Sequence, residues 1–193
     1  RELRLPRAIL ALAIGAGLGV AGAALQGLLR NPLAEPGLIG VSGTAALGAV
    51  IAFYSGLSVT FPFALPAGGM TGALISVVLL YMLAGRDPSV LTLILAGVAI
   101  SALAGALTTL ALNLSPNPYA AFEIFFWLMG SLADRSLNHV ALAVPFIAVG
   151  IVLLMTTGPG LDALTLGEDV AQSLGVRLSG LQARVIIGTA LAV

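Results

Sequence analysis

The side chains that could perform catalysis are few in this sequence. His139 is the single histidine and there is no cysteine, so a histidine cluster, thiolate metal sites and disulfides are excluded. Hydrolytic catalysis needs a nucleophile beside a base or a pair of carboxyl groups, and the apolar segments contain neither combination. The sequence therefore predicts no catalytic residue, no metal site and no cofactor. We interpret His139 as an interfacial histidine at the beginning of a membrane span.

Composition places the chain among membrane proteins. Of its 193 residues, 59% are hydrophobic and 8% are charged, and the mean hydropathy is +1.11. Soluble domains carry about 25% charged residues, and an apolar run of about 20 residues crosses a bilayer. Residues 120–132 are too short to cross and predict a re-entrant or interfacial helix. About six spans are predicted, the sixth beginning near Val185 and the five complete ones at residues 8–29, 38–55, 63–84, 90–112 and 137–155.

The five complete spans contain no Asp, Glu, Lys or Arg. A charge at the bilayer centre costs about 3 kcal/mol or more, and pumps and ion-coupled carriers accept that cost to bind their ion. If this chain moves a solute, we therefore expect the energy to come from outside the membrane. Two alternatives stay open. An ion-coupled secondary transporter or channel predicts a charged residue in further spans, and a structural or assembly subunit predicts that the polar loop packs on its own chain.

A polar turn joins the first two spans. Pro32 and Pro36 stand within a few residues of Arg30, Asn31 and Glu35. Each proline disfavours helix for the residue before it. The spacing therefore predicts a compact turn and not a kinked continuous helix.

Small residues recur four apart on three of the predicted spans. Such stripes let helices approach closely in lipid. The third stripe predicts either a tight helix contact or a pore-lining face. The three sets are Gly15 with Gly19, Gly68 with Gly72, and Gly97 with Ser101 and Gly105.

The longest polar stretch, residues 156–180, contains the pattern of a short amphipathic helix. Thr165 and Glu168 match a capping box, and Gly175 is a natural stop. One apolar face follows from the four-residue spacing of Leu166, Val170 and Leu174. Because so short a helix is marginal alone, this face needs either the protein's own surface or a partner.

Five stretches, taken together and in this order, resemble one family of membrane proteins. They resemble the permease subunits of ATP-binding cassette (ABC) importers for iron–siderophore complexes, haem and cobalamin, the FecCD-type permeases of type II importers. The stretches are RLPR at residues 4–7, the turn at 26–42, LILAGVA at 93–99, WLMGSL at 127–132, and the loop motif at 166–176.

The resemblance implies an all-α polytopic transmembrane helical bundle of roughly ten spans, of which this chain would supply about the second to the seventh. Because the chain begins with Arg1 and its last apolar run is short, we expect a single permease domain over residues 1–193, truncated at both ends. Residues 158–179 would form a cytoplasmic loop with a coupling helix. The expected location is the cell (inner or cytoplasmic) membrane, with several passes.

The resemblance also implies partners. It implies cytosolic ATP-binding subunits that hydrolyse ATP, so this subunit itself would be no enzyme. It further implies a periplasmic or lipoprotein substrate-binding protein, and a second permease subunit that is identical or a paired homologue. Membrane lipid would surround the spans. No nucleic-acid partner is expected, since the sequence has no basic patch.

Site residues follow from the same resemblance. Arg4 and Arg7 would dock the binding protein through its acidic residues, which orients docking more than it adds affinity. Asn31 and Leu33 would narrow the cytoplasmic end of the pathway. The pathway-lining residues would be Gly97, Ser101 and Gly105. The residues that couple to the ATPase would be Leu166, Gly167, Glu168, Val170, Ala171, Leu174 and Gly175.

The expected function is import of an iron–siderophore or similar metal-chelate complex into the cytoplasm by alternating access. Iron–siderophore is chosen because it is the commonest cargo of the family. Charge alone does not orient the chain, since alternation of spans divides the arginines equally between the two sides. One side would carry Arg30, Arg86, Arg177 and Arg184, and the other Arg1, Arg4, Arg7 and Arg135. The resemblance places residues 1–7 in the periplasm.

Overall fold

Helices are the secondary structure that apolar segments adopt in lipid, because a helix satisfies its own backbone hydrogen bonds. The computed structural model describes residues 4–61, 63–85, 88–114, 118–133 and 135–193, and within these ranges every regular element is helical. The elements are α1 (Arg4–Leu29), a 3-10 helix (Pro36–Ile39), α2 (Val41–Tyr54), α3 (Leu57–Thr60), α4 (Ala64–Ala84), α5 (Val90–Asn113), α6 (Pro118–Leu128), α7 (Leu137–Met155), α8 (Gly158–Leu164), α9 (Glu168–Ser173) and α10 (Leu178–Ala192).

The predicted all-α membrane fold is confirmed. The helices α1, α4, α5 and α7 are each long and apolar enough to cross a membrane, and α2 and α10 are shorter apolar helices. The span predicted at residues 38–55 begins too early, because Pro36–Ile39 forms a 3-10 helix and Gly40 has a left-handed φ of 82°. The interfacial prediction at residues 120–132 corresponds to the short helix α6.

The chain divides into two compact units. The first contains Arg1–Pro36, Gly85–Val90 and Leu132–Val193, and therefore holds α1 and α7 to α10. The second contains Gly37–Ala84 and Leu91–Ser131, and holds α2 to α6.

In the first unit, α1, α7 and α10 pack through glycines. A Cβ on Gly17 would lie 2.5 Å from the carbonyl oxygen of Ala192, and one on Gly150 would lie 2.6 Å from the Ala192 nitrogen. By contrast, Gly15 and Gly19 have no neighbour within 4 Å. Within the described part of the chain, the packing glycine on α1 is therefore Gly17, and the predicted pair makes no helix contact there.

In the second unit, α2 and α4 approach until their backbones touch. A Cβ on Gly48 or Gly72 would overlap a backbone carbonyl of the other helix, and one on Gly68 would lie 2.6 Å from the Gly48 oxygen. Small-residue faces allow such close approach in lipid. The contact predicted for Gly68 and Gly72 is confirmed.

Candidate functional site

A tight turn follows α1 and contains the two residues predicted as a gate. The helix ends at Leu29, and Arg30 adopts a left-handed conformation with φ of 49°. The Asn31 N–H then donates to the carbonyl oxygen of Gln26 at 3.2 Å, which closes the helix end. A residue other than glycine in the left-handed backbone conformation costs about 1–2 kcal/mol, so the backbone at Arg30 is strained. The predicted compact turn is confirmed.

Asn31 and Leu33 lie together at the tip of this turn. The Asn31 carboxamide oxygen accepts a hydrogen bond from the Leu33 N–H at 2.9 Å, and the Asn31 carbonyl accepts one from the Ala34 N–H at 3.0 Å. Asparagine commonly stabilises a turn in this way. The consequence is that Leu33 projects outward and is 83% exposed.

The polar loop contains two short helices where one was predicted. The predicted capping box at Thr165 and Glu168 is wrong, because the Thr165 hydroxyl donates to the carbonyl of Asp162 at 2.6 Å and ends α8. Gly167, with φ of 107° and ψ of 158°, precedes Glu168 and turns the chain into α9. The sequence did not reveal that residues before Thr165 already form a helix.

The predicted stop at Gly175 is confirmed. Gly175 has a left-handed φ of 86°, and its N–H donates to Gln172 O at 2.9 Å. The Val176 N–H donates to Ala171 O at 3.0 Å, which completes a Schellman motif. A six-residue helix therefore has a defined end on each side, a glycine corner before it and a glycine cap after it.

The loop presents an apolar surface, which we call the α9 surface and define by Leu166, Val170 and Leu174. These side chains are 64%, 43% and 64% exposed, respectively. Ala171, which was predicted in the same set, is instead fully buried within the chain. Thus α9 attaches to its own unit through one side and leaves its larger apolar side chains uncovered by the described part of the chain.

An ion pair joins the turn to α9. The Arg30 guanidinium donates to Glu168 Oε1 at 2.8 Å, and both side chains are less than half exposed. Nearby, Gly27 of α1 faces the Leu161 side chain of α8, to which an added Cβ would lie at 3.6 Å. The turn and the α8–α9 loop therefore lie at the same end of α1.

The stripe on α5 serves two environments. Gly97 is buried, and a Cβ there would overlap the carbonyl oxygen of Leu38. The Ser101 hydroxyl donates to Gly37 O at 3.1 Å, and the Ser76 hydroxyl of α4 donates to Ile39 O at 3.2 Å. Gly105 instead is exposed, with nothing within 4 Å of an added Cβ.

The two predicted docking arginines stand at the beginning of α1, and both are exposed. The Arg7 Nε donates to the carbonyl oxygen of Leu132 at 3.3 Å. Leu132, which belongs to the same unit as α1, therefore lies at this end of α1, opposite to the turn. The opposite sides predicted for Arg7 and Arg30 agree with their contacts to Leu132 and Glu168, whereas Arg1 and Arg86 lie outside the described residues.

Sequence reasoning missed Gln182. This side chain is 8% exposed, and its amide donates at 3.0 Å to the carbonyl oxygen of Pro88, on the loop that enters α5. A polar residue in an apolar helix was the available signal, but its partner is 94 residues away.

His139 caps α7, since its Nδ1 accepts from the Ser136 N–H at 3.3 Å. Among the described residues no cluster of three metal-ligating side chains occurs.

Together these features define an all-α, multi-pass membrane protein with a structured polar loop between α7 and α10. Residues 1–193 match the FecCD transport family throughout. The chain belongs to that family, as the sequence resemblance predicted.

Curated relatives and a solved structure agree with this family assignment. The chain is 40% identical to the vitamin B12 import system permease protein BtuC of Vibrio cholerae, over all of this chain and 58% of that one. It is 39% identical to the uncharacterized ABC transporter permease protein YvrB of Bacillus subtilis, covering 98% and 55%. It is 35% identical to the protein named Probable siderophore transport system permease protein YfiZ of Bacillus subtilis, covering 91% and 53%.

A solved structure described as an inward-facing conformation of an ABC transporter of the metal-chelate type superimposes with a TM-score of 0.84 at 32% identity. That match covers 99% of this chain and 61% of the other. The chain therefore spans little more than half the length of the curated relatives it matches.

Proposed function

We propose that this chain forms a permease subunit of an ABC importer, which moves a metal chelate across the cell membrane into the cytoplasm by alternating access. Cytosolic ATP-binding subunits would supply the energy. An external binding protein would deliver the cargo, and a second permease subunit would complete the pathway. Residues 158–179 would be the cytoplasmic loop of one permease domain.

The observation that carries the proposal is the α9 surface. Val170 on the short helix α9 and Leu166 and Leu174 beside its two ends are exposed, and Gly167 and Gly175 fix both ends of that helix. A rigid apolar helix outside the spans is suited to insertion into a groove of another protein. This supports an ATPase docking surface more than a structural subunit, for which the same side chains would pack on their own chain.

The two ends of α1 support opposite assignments for the two sides of the membrane. Arg4 and Arg7 at one end are exposed cations suited to acidic residues of a binding protein. The turn and the α9 surface share the other end through the Arg30–Glu168 pair. We therefore assign the first end to the periplasm and the second to the cytoplasm.

The turn supplies the proposed cytoplasmic gate. Asn31 fixes the turn through its hydrogen bonds, and the outward-facing Leu33 would narrow the pathway. On α5, Gly105 has open space beside it and is the best candidate for a pathway-lining residue. We assign Gly97 and Ser101 an additional structural role: they hold the segment that follows the gate, since both residues contact that segment.

Alternating access of this kind needs no charged residue in the membrane. The described parts of α1, α4, α5 and α7 carry charges only in the first turn of α1, at Arg4 and Arg7. An ion-coupled carrier would instead place an ionisable group at its ion site. Energy delivered by the ATPase through the α8–α9 loop is consistent with these apolar spans.

The proposed cargo is a metal chelate. The relatives named above include a vitamin B12 permease and a protein named for siderophore transport, so cobalamin and iron–siderophore complexes are the two candidates. We retain iron–siderophore as the first to test. The two are separated by uptake of radiolabelled ferric siderophore and of labelled cobalamin by the same reconstituted importer.

The docking surface can be tested with Leu174→Asp in the full-length permease, reconstituted with its ATPase and binding protein. We expect the variant to insert normally but to lose ATPase association and binding-protein-stimulated hydrolysis. Gln172→Asp is the matched control, because Gln172 is an exposed residue of the same helix outside the α9 surface. It should retain both activities.

Three outcomes decide the proposal. Selective loss in Leu174→Asp supports the ABC permease assignment. Unchanged association and hydrolysis in Leu174→Asp would overturn the docking role of α9. Uptake that persists without ATP and follows an ion gradient would instead identify the ion-coupled carrier.

A further inference from the structure

The Arg30–Glu168 ion pair connects two parts of the chain that have different roles in the proposed function. Arg30 immediately precedes Asn31 in the gate turn, and Glu168 is the first residue of α9. The two residues are 138 positions apart in the sequence, and their side chains meet at 2.8 Å. A displacement of α9 therefore acts directly on the residue beside the gate.

The backbone at Arg30 makes this connection unusual. Arg30 is left-handed, with φ of 49°, and it is the one non-glycine residue with positive φ in the described part of the chain. Glycine adopts this conformation without steric cost. A strained residue of this kind commonly marks a functional constraint. A glycine at this position would lack the guanidinium, which here donates to Glu168 Oε1.

The connection is also localised. The gate turn is short and is stiffened by hydrogen bonds within it: Leu33 N–H to Asn31 Oδ1, Ala34 N–H to Asn31 O, and the Gln26 amide to Ala34 O at 3.4 Å. These hydrogen bonds hold the turn as one compact unit that begins at Arg30. Helix α9 is likewise bounded by Gly167 and Gly175, both with positive φ. The ion pair thus joins two small rigid parts.

We propose that Arg30 is a positioning residue, which transmits the movement of α9 to the gate residues Asn31 and Leu33 through its ion pair with Glu168. This inference rests on the proposed function, because it assumes that α9 is moved by an ATPase. It predicts that loss of the guanidinium uncouples ATP hydrolysis from transport without preventing ATPase docking.

Arg30→Gly is the sharpest test, because glycine suits the left-handed backbone and the variant should fold at least as well as the wild type. Uptake and ATP hydrolysis are measured together in proteoliposomes at saturating binding protein. We expect normal ATPase association, and uptake per ATP lower by about two- to fivefold, as for loss of a partly exposed ion pair. Arg30→Lys keeps the charge and should retain most of the coupling.

Ionic strength provides a second readout, because it weakens the ion pair without a substitution and uptake per ATP can then be compared between wild type and variant. Salt screens exposed ion pairs, with a Debye length of about 10 Å at 0.1 M. The wild-type uptake per ATP should therefore fall with added salt toward the Arg30→Gly value, while the variant itself should respond little.

Each contrary result overturns the inference. If Arg30→Gly keeps the wild-type uptake per ATP, the ion pair transmits nothing. If Arg30→Gly and Arg30→Lys lose uptake per ATP equally, the charge is irrelevant. Lost ATPase association in Arg30→Gly would show that Arg30 maintains the docking surface instead. These three results can be told apart from a failure of the proposed function, because that failure is detected separately with the Leu174→Asp variant.

Discussion

The α2–α4 contact and the α8–α9 loop use apolar and small residues in opposite ways. In the first, glycines bring two backbones together, so that no side chain would fit at Gly48 or Gly72. In the second, glycines form corners, and aliphatic side chains such as Leu166 and Leu174 stay exposed. The same residue types therefore build an internal contact in one region and an external surface in the other.

The difference teaches which feature identifies a functional surface in so apolar a chain. Exposed aliphatic residues on long spans are expected, since lipid surrounds them. Exposed aliphatic residues on or beside a short helix outside the spans are not explained by lipid, which makes the α9 surface the candidate for partner binding. If the comparison holds, substitutions in the two regions should separate stability from partner binding.

The largest effect is expected from Gly72→Ala in α4. Its new Cβ would overlap the carbonyl oxygen of Thr44, and since this is backbone the helices must separate. We expect a loss of about 1–3 kcal/mol in unfolding free energy. Thermal unfolding of the detergent-purified permease measures it.

Gly69→Ala is the matched control on the same helix. Its added Cβ would be 3.7 Å from Ala45 O, an ordinary contact, so this variant should unfold at or above the wild-type temperature. Equal stability of the two variants would show that α2 and α4 are not held together by glycine contact.

A more local effect is expected from Gly167→Ala at the α8–α9 corner. A φ of 107° with ψ of 158° is essentially restricted to glycine, and forcing alanine into it costs about 1–3 kcal/mol. Because the corner is peripheral, the loop should reorganise while the spans stay folded. We therefore expect weaker ATPase association at a nearly unchanged unfolding temperature.

Gly158→Ala is the control for that corner, because nothing lies within 4 Å of its added Cβ and its φ is not positive. ATPase association should be retained in this variant. If Gly167→Ala also binds the ATPase normally, the conformation of the corner is not needed to present the α9 surface.

The smallest effect is expected from Ser76→Ala in α4. The Ser76 hydroxyl is fully buried and donates to Ile39 O, so its removal leaves a carbonyl without that donor and should cost about 1 kcal/mol. Thr71→Ala is the comparison, because the Thr71 hydroxyl is exposed and bonds to Gly68 O of its own helix. Equal unfolding temperatures for the two variants would contradict a stabilising role for Ser76.

The spans were predictable from the sequence because polar or helix-breaking residues bound them. Residues 137–155 were predicted as a span, and α7 has those same bounds. The packing faces were less predictable. On α1 several small residues recur, and which of them packs within the described chain depends on where α10 lies, so the contact of Gly17 was not predicted.

The candidate site was predictable only in part. The turn after α1 followed from its two prolines, and the exposed α9 surface followed from the four-residue spacing of its aliphatic residues. The start of α9 was wrong because α8 uses Thr165 as its last cap. The contacts of Arg30 with Glu168 and of Gln182 with Pro88 join distant positions, and no local pattern in the sequence records them.

Site-specific photo-crosslinking can show whether the α9 surface contacts an ATP-binding subunit. A photoreactive residue is placed at position 174 in the full-length permease, with position 172 as the control on the same helix. If the α9 surface docks on the ATP-binding subunit, we expect an abundant crosslink from position 174 to that subunit and a much weaker one from position 172. A crosslink from position 174 to the permease itself, or equal crosslinking from both positions, would contradict it.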